Sequence, residues 1–290
     1  MKLKYIAFPV LILLLSQTSC HNQEADKSVK VVFLHHSTGA AIWQGGEKSQ
    51  LSTLALKVSS RLSDFIAPKA LIPKLFKEYN KENNTRYIIE GMIFPKTTPY
   101  GWKNYPYDYY NIWVKNAGQN PFLEEPTLEM LTKKHDVIIF KHCYPVNNIV
   151  DENSEPDINS EIKTIANYKL QYEALRNKLL QFPETKFILF TGAARIKSGV
   201  TEDEAKRASR FFSWVTGEWD QEGDNIFIWD LYQLQTEGDI YLREEYAVSE
   251  TDSHPNDNFA AKAAPLLFRR IIDIIENNGN RTNNRGEIIL

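Results

Sequence analysis

A serine near the start of the chain and a histidine near its end are the residues best suited to act together in a reaction. Ser37 stands in the segment 35–39, which reads HHSTG and directly follows an apolar run. His254 comes two residues after Asp252 and just before a proline. A serine hydroxyl is a weak nucleophile until a base takes its proton, and an imidazole held by a carboxylate is such a base. These residue types predict a nucleophile, Ser37, a base, His254, and a carboxylate, Asp252, that orients the base.

Both segments also allow a purely structural interpretation. A Ser-Thr-Gly triplet is most often the cap of a helix, and the Asp, Ser, Pro and Asn around position 254 all favour turns. Their places along the chain favour the catalytic interpretation. Ser37 follows the first predicted strand, and the pair of Asp252 and His254 precedes the last predicted helix.

Short apolar runs alternate with amphipathic stretches along most of the chain. Runs at 29–34, 136–140, 186–191 and 225–229, and a weaker one at 87–92, predict buried strands of a parallel sheet. Apolar residues recur at helical spacing over 71–80, 158–182, 202–216 and 259–275. Strands that alternate with helices predict one doubly wound α/β domain over 29–277, with a mainly parallel central sheet flanked by helices.

Polar and titratable residues gather where these strands end. They fill the segments 35–39, 141–148 and 192–195, and they recur in the loop before the last helix. In open α/β sheets, ligands bind outside the carboxyl ends of the strands. The sequence therefore predicts that Ser37, Asp252 and His254 meet at that edge of the sheet.

This layout resembles the SGNH (GDSL-type) hydrolase superfamily, whose nucleophilic serine follows the first strand and whose Asp and His share one short motif near the C-terminus. The members it most resembles are bacterial secreted proteins with a His-His-Ser-Thr-Gly turn, as at 35–39. The resemblance implies an SGNH-hydrolase, flavodoxin-like fold. It also implies a serine esterase in which Ser37 is the nucleophile, His254 the base and Asp252 the acid.

Three features depart from the superfamily's pattern. One residue rather than two separates Asp252 from His254, so Thr251 stands at the usual acid position and Glu250 is the alternative carboxylate. His36 replaces the aspartate before the nucleophile, where it could hold the turn. The usual Gly-x-Asn-Asp block is missing. The candidate donors to an oxyanion are therefore the backbone N–H of Ser37 or Thr38, a glycine N–H from Gly101 or Gly118, and the side chain of Asn148 or Asn147.

The segment 100–113 is the densest aromatic stretch of the sequence. Flat rings with polar edges, Trp102 among them, could form a stacking platform for sugar rings. The same rings could instead pack the loop onto the domain, because Tyr and Trp bury large areas. Both interpretations stay open, and the first makes Trp102 a candidate substrate-binding residue.

Two other kinds of site are less favoured. His35, His36 and His254 could bind zinc, but the chain has no His-x-x-x-His pair or Cys cluster, and adjacent residues of a strand point to opposite faces. Cys143 could be a nucleophile, but a lone cysteine is more often buried and inert. We therefore predict no metal and no cofactor.

The first twenty residues are typical of a bacterial lipoprotein signal. Two lysines precede an apolar run of about ten residues, too short to span a bilayer, and Cys20 follows small and polar residues. We predict cleavage before Cys20 and acylation of that residue, with 21–28 as a tether and 278–290 as a flexible tail. Plain secretion is the alternative.

Charge and composition limit the partners and the activity. The net charge of −3 argues against nucleic acid or an anionic membrane surface as the main partner. We expect a protein of the bacterial cell envelope, in the periplasm or at the cell surface, that touches the membrane only through its N-terminal lipid. The expected activity is deacylation, above all deacetylation, of a carbohydrate or another small ester. The alternatives are acyl transfer by the same triad and non-catalytic glycan binding.

Overall fold

A parallel sheet forms the centre of the protein in a computed structural model that describes residues 28–46 and 70–289. Its strands are β1 (Val29–His35), β2 (Tyr87–Ile93), β3 (Val137–Lys141), β4 (Lys186–Phe190) and β5 (Ile226–Trp229). Their order across the sheet is β2-β1-β3-β4-β5, and every pairing is parallel. The predicted α/β class with a central parallel sheet is confirmed.

Helices connect the strands and cover both faces of the sheet. The described α-helices are α1 (Ser37–Gln44), α2 (Leu71–Asn83), α3 (Pro106–Tyr109), α4 (Leu128–Leu131), α5 (Ile165–Leu179), α6 (Glu202–Trp214), α7 (Leu231–Thr236) and α8 (Asp257–Asn277). Two of them continue into π-helical segments, α3 into Tyr110–Lys115 and α6 into Val215–Trp219.

Two hydrophobic clusters, one on each face of the sheet, form the core. On one face Val32 and Phe140 pack with the aromatic residues of α3, α5 and α6. On the other face Phe33 and Ile139 pack with α1, α2 and α8. Alternate residues of a strand face opposite sides, and here both sides are covered. This is why the strands read as continuous apolar runs in the sequence.

The helix predicted over 158–182 begins later, at Ile165. Thr164 caps it, because its side chain accepts a hydrogen bond from the Asn167 N–H. The Asn167 side chain in turn donates to the Ile162 carbonyl at 2.9 Å and holds the preceding segment as a loop. The apolar residues before 165 therefore belong to a loop, in which Ile162 is exposed, and a capping threonine decided the boundary.

The segment predicted as a loop before the last helix contains a short antiparallel hairpin. Its strands are β6 (Ala247–Ser249) and β7 (Asp252–Pro255). Asn256 follows directly and caps α8, because its side chain accepts from the Phe259 N–H. The Asn256 amide also donates to the Ala247 carbonyl at 3.1 Å. One residue thus ties the hairpin to the start of α8.

The predicted flexible tail, 278–290, is docked instead over the residues that the structure describes. The Thr282 N–H and hydroxyl donate to the Asp273 carboxylate at 2.8 and 2.7 Å. Arg270 donates to the carbonyls of Gly279 and Thr282, both at 2.9 Å. Arg270 and Asp273 are buried charges of α8, and buried charges need polar partners. The tail supplies them, which its polar composition does not reveal.

The predicted signal segment, Cys20 and residues 21–27 of the tether lie outside the described residues. No helix in the described part of the chain is long and apolar enough to cross a membrane.

Candidate active site

The order of the strands creates a crevice between β1 and β3. From β1 the chain passes to β2 on one side, whereas β3 lies on the other side of β1. Ligands of open α/β sheets bind at the carboxyl ends of the strands at such a switch point. β1 ends just before Ser37, and β3 ends just before Tyr144. The topology therefore places the start of α1 beside the segment that follows β3.

Ser37 is the first residue of α1, and it is exposed. His36 occupies the N-cap position without capping the helix, because its ring Nε2 donates to the Pro95 carbonyl instead. The first N–H groups of a helix have no partner within the helix. Those of Ser37, Thr38 and Gly39 are thus available to a negatively charged oxygen that forms in front of the helix start.

Gly39 allows α1 to begin close against the ends of β1 and β3. A Cβ atom at this position would lie 2.5 Å from His35 Cβ and 3.0 Å from Lys141 Cδ. Closely packed interiors cannot accommodate such an added atom without shifting. The missing side chain of Gly39 therefore sets the distance between Ser37 and the edge of the sheet.

Asp252 and His254 form a hydrogen-bonded pair on β7. The His254 Nδ1 lies 2.6 Å from Asp252 Oδ1, and the same oxygen accepts from the His254 backbone N–H at 2.9 Å. The backbone bond, and after it the ring, hold the pKa of Asp252 below its ordinary value. An ionised carboxylate keeps a proton on Nδ1 and leaves Nε2 as the acceptor, which is the state that a general base needs.

The strand conformation explains why a single intervening residue suffices between Asp252 and His254. Residues i and i+2 of a strand face the same side. Ser253 points the other way, is buried, and accepts from the Ile196 N–H at 3.2 Å. Glu250, the alternative carboxylate, lies before β7, and in the described structure the imidazole contacts Asp252 and not Glu250.

Tyr144 connects the start of α1 with the pair on β7. Its ring meets the His254 ring edge-on, with centroids 5.0 Å apart, and its hydroxyl lies against the Thr38 side chain. α1 also packs against β7. Over residues 28–46 and 70–289 no hydrogen bond joins Ser37 to His254, whose ring bonds to Asp252. Catalytic hydrogen bonds of a substrate-free site are often long and tighten when substrate binds.

The candidate site is open to solvent. The side chain of His254 is 36% exposed and that of Asp252 44%. Two surface cavities of about 620 and 370 Å³ lie elsewhere, along α6 and beside α4. An open site admits an ester at the edge of a large molecule as readily as a small one.

The candidate donors to an oxyanion differ in how free they are. The Asn148 side-chain oxygen accepts from Arg195 Nη1 at 2.8 Å, and within the described chain the Asn148 amide nitrogen has no partner. The Asn147 amide is buried and donates to the Ala193 carbonyl. The Gly101 N–H donates within its own turn. Asn148 is thus the side chain of this group that retains a free donor.

Lys141, the last residue of β3, is fully buried. Its Nζ donates to the His142 carbonyl at 3.1 Å and to Cys143 Sγ at 3.0 Å, and no carboxylate of the described residues pairs with it. Burial, and after it the charge of Lys141, lower the pKa of His35 and His142 to about 3 and that of His36 to about 4. These three rings are therefore neutral near pH 7.

Most rings of the aromatic segment 100–113 pack into the core. Tyr105, Tyr109 and Trp113 are buried. Trp102 is partly exposed, and its ring centroid lies 4.5 Å from that of Tyr100. Packing accounts for most of the segment, while Trp102 and Tyr100 leave ring surface accessible.

Asp108 fixes this aromatic segment beside the end of β3. Its carboxylate accepts from the N–H groups of Lys103 and Asn104 at 2.9 and 2.7 Å, and burial raises its pKa to about 6. The Asn104 carbonyl accepts from the Cys143 N–H at 3.0 Å. Lys103 therefore projects from a segment that is anchored at the edge of the crevice.

No group of three His, Cys, Asp or Glu side chains in the described chain could hold a metal ion.

Three residues near the site had no role predicted from the sequence, namely Lys141, Tyr144 and Arg195. All three stand at or shortly after the ends of β3 and β4. Their position after the strands predicts that they lie at the edge of the sheet where ligands bind. Their roles could not be predicted, because these depend on contacts with distant parts of the chain.

Comparisons with known proteins found similar solved structures, whereas no protein-family model and no curated protein matches this chain. A gut microbial diltiazem-metabolizing enzyme is similar in structure, with a TM-score of 0.44 and 12% identity over 84% of this chain and 47% of that one. A carbohydrate esterase, described as having divergent catalytic and non-catalytic binding functions in its active site, matches with a TM-score of 0.34 and 10% identity over 85% and 68%. This chain spans about half the length of the first neighbour. At these values the activity of the neighbours does not carry over to this chain.

Proposed function

We propose that the protein is a serine esterase of the SGNH type, with Ser37 as nucleophile, His254 as general base and Asp252 as the carboxylate that orients the base. The observation that most supports this is the 2.6 Å contact between His254 Nδ1 and Asp252 Oδ1 on a strand that packs against α1. An imidazole held in this way, near an exposed serine at a helix start, is the arrangement that a hydrolytic triad requires.

The reaction proceeds in two steps in this proposal. Ser37 Oγ attacks the ester carbonyl carbon while His254 Nε2 takes the hydroxyl proton, and Asp252 stabilises the resulting imidazolium. The free N–H groups at the start of α1 and the Asn148 amide stabilise the negative oxygen, and the buried Lys141 ammonium beside Gly39 favours the same charge. The carbon–oxygen bond breaks as His254 returns the proton to the departing alcohol. Water then attacks the acyl-serine with the help of the same base and releases the acid.

We propose acylated carbohydrates as the substrates, with acetyl as the first acyl group to test. The open site accommodates an acyl group that projects from a bulky sugar. The partly exposed rings of Trp102 and Tyr100 offer a surface on which a sugar ring can stack.

Hydrolysis of short 4-nitrophenyl esters and acetylated glycans by matched variants tests the proposal. We expect Ser37→Ala and His254→Ala each to lower kcat by about a thousandfold or more, and the double variant to be no worse, because nucleophile and base act as one unit. Ser154→Ala, at an exposed serine, should leave the rate unchanged. A wild-type rate for Ser37→Ala would refute the proposal. Transfer of the acetyl group to an added sugar, in place of acetate release, would identify the enzyme as an acyltransferase.

A further inference from the structure

Three positively charged side chains stand in three different loops that bond to the segment 143–150, which follows β3. Lys103 lies in the aromatic segment 100–113, Lys163 precedes α5 and Arg195 follows β4. None of them forms an ion pair within the described part of the chain. We call these residues the cation cluster. The whole chain has a net charge of −3, so a group of unpaired cations at one place is not a consequence of its composition.

Arg195 is the member of the cation cluster that adjoins β7. The N–H of the next residue, Ile196, donates to Ser253, the residue between Asp252 and His254 on β7. Only Nη1 of the Arg195 guanidinium has a partner among the described residues, the Asn148 side chain, and its Nε is buried without an acceptor. A buried N–H without an acceptor is unfavourable in the free protein, and an anionic ligand would relieve it.

Lys163 lies against the aromatic segment 100–113, which also carries Lys103. The Lys163 Nζ lies 5.0 Å from the centre of the Tyr105 ring. Burial, and then the charges of Lys103 and Arg195, lower the pKa of Lys163 to about 8. Lys163 is thus close enough to both Lys103 and Arg195 to be repelled by them. Asp108, whose carboxylate accepts from backbone N–H groups, opposes this effect, so one carboxylate stands against the three cations.

Like charges that gather with fewer counter-charges than cations destabilise a protein unless a ligand neutralises them, and such a surface attracts anions. We propose that the site selects anionic esters, and that the cation cluster binds a carboxylate that the substrate carries close to the ester bond. This inference rests on the proposed esterase function and specifies its substrate class. A guanidinium is planar and can donate two parallel hydrogen bonds to a carboxylate. The free N–H groups of Arg195 therefore favour a carboxylate as the anion.

A pair of substrates that differ only in charge tests this inference. The pair is an O-acetylated methyl hexoside and the corresponding methyl hexuronoside, in which one CH₂OH group is replaced by a carboxylate. We expect kcat/KM of the wild type to be at least about tenfold higher for the uronoside at low salt, with the preference decreasing as ionic strength rises. Equal rates, or a preference for the neutral sugar, would overturn the inference.

Variants of the cation cluster locate the effect. Arg195→Gln should remove most of the preference through a higher KM for the uronoside, because the carboxylate does not take part in the reaction, and any loss of kcat caused by the lost bond to Asn148 should be the same for both esters. Arg195→Lys should keep part of it. Lys77→Gln, which removes an exposed charge on α2, should keep all of it. Equal losses of Arg195→Gln on both esters would instead assign Arg195 a structural role and contradict the inference.

A binding measurement separates this inference from the esterase proposal. Titration calorimetry of the Ser37→Ala protein with unacetylated methyl hexuronoside and methyl hexoside needs no turnover. We expect the uronoside to bind at least about tenfold more tightly and Arg195→Gln to remove that difference. A 6-sulfated hexoside that binds more tightly than the uronoside would overturn the assignment of a carboxylate. An inactive wild type that still binds the uronoside selectively would refute the esterase and keep the anion site.

Discussion

Single residues around the site differ in whether they can exchange a proton with a substrate. His35, His36 and His142 are neutral near pH 7, because burial and the charge of Lys141 lower their pKa values to about 3 or about 4. His254 is 36% exposed and is held by a carboxylate. Among the histidines of the crevice, His254 is therefore the one placed to act as a base.

Asp252→Asn tests the orienting role at the scale of the residue. The amide can still accept from the His254 backbone N–H, but it cannot offset the charge of an imidazolium. We expect kcat on a neutral acetyl ester to fall by about a hundredfold or more. Glu250→Gln is the matched control and should keep the wild-type rate, because its carboxylate does not contact the ring in the described structure. Equal losses in both variants would show that the two carboxylates share the role.

Two elements, α1 and β7, carry the three residues of the proposed triad and pack against each other. α1 presents Ser37 and a set of free N–H groups, while β7 turns Asp252 and His254 to the same side. Neither element is long, and both depend on contacts with the edge of the sheet. The position of α1 is set by Gly39, where a side chain would collide with His35.

Gly39→Ala tests the position of α1. We expect it to lower the free energy of unfolding by about 1–3 kcal/mol and to reduce kcat, because the added methyl group moves the helix start and Ser37 with it. Gly217→Ala is the matched control, since a Cβ there meets nothing within 4 Å. Urea unfolding and ester hydrolysis measure the two effects. If Gly39→Ala behaved like Gly217→Ala in both, the close approach would not determine the position of the site.

The response of the whole molecule to acid follows from its buried titratable groups. Between pH 6.5 and about 3 the unfolded chain binds protons at His35, His36 and His142 that the folded chain refuses, so stability falls as the pH falls. Burial raises the pKa of Asp108 and Asp220 to about 6, and these carboxyls act in the opposite direction between pH 6 and 3.8. Burial also raises the pKa of Asp230 and Glu125. The pKa values of the three histidines depart further from their ordinary values than those of Asp108 and Asp220, which predicts a net loss of stability below pH 6.

His142→Phe tests this balance. The His142 ring has no hydrogen-bond partner and meets the Tyr109 ring edge-on at 4.9 Å, a contact that Phe can also make. We expect the slope of unfolding free energy against pH between 6 and 4 to decrease by about 1.4 kcal/mol per pH unit, the amount due to one proton. Urea unfolding at a series of pH values measures the slope. An unchanged slope would show that His142 takes up no proton on unfolding.

The predicted lipid anchor at Cys20 would attach the whole molecule to a membrane. If Cys20 is acylated, full-length protein expressed in a bacterium should fractionate with membranes, because two or three acyl chains give stable attachment. Cys20→Ser should appear in the soluble fraction, and Cys143→Ser, the control at the other cysteine, should stay with the membranes. The same distribution for Cys20→Ser and wild type would support plain secretion.

The sequence by itself determined the class of fold and the edge of the sheet at which chemistry is expected. A buried parallel strand is apolar on both faces, so the runs at 29–34 and 136–140 identify β1 and β3 without any knowledge of their partners. Polar residues that directly follow such runs must lie at the carboxyl edge. Ser37 could be singled out for this reason and His254 because it stands with Asp252 just before the last predicted helix, although more than two hundred residues separate Ser37 from His254.

Only the tertiary structure decided which side chains meet at that edge. Asp252 faces the same way as His254 because 252–255 is a strand, and it is a strand because β6 pairs with it. The loops that carry Lys103, Lys163 and Arg195 all bond to the segment after β3, and residues 279–289 dock onto α8 because it buries two charges. The spacing of apolar residues along a sequence indicates whether a segment is a helix or a strand. Contacts between distant loops depend on how the elements pack, and no local period records them.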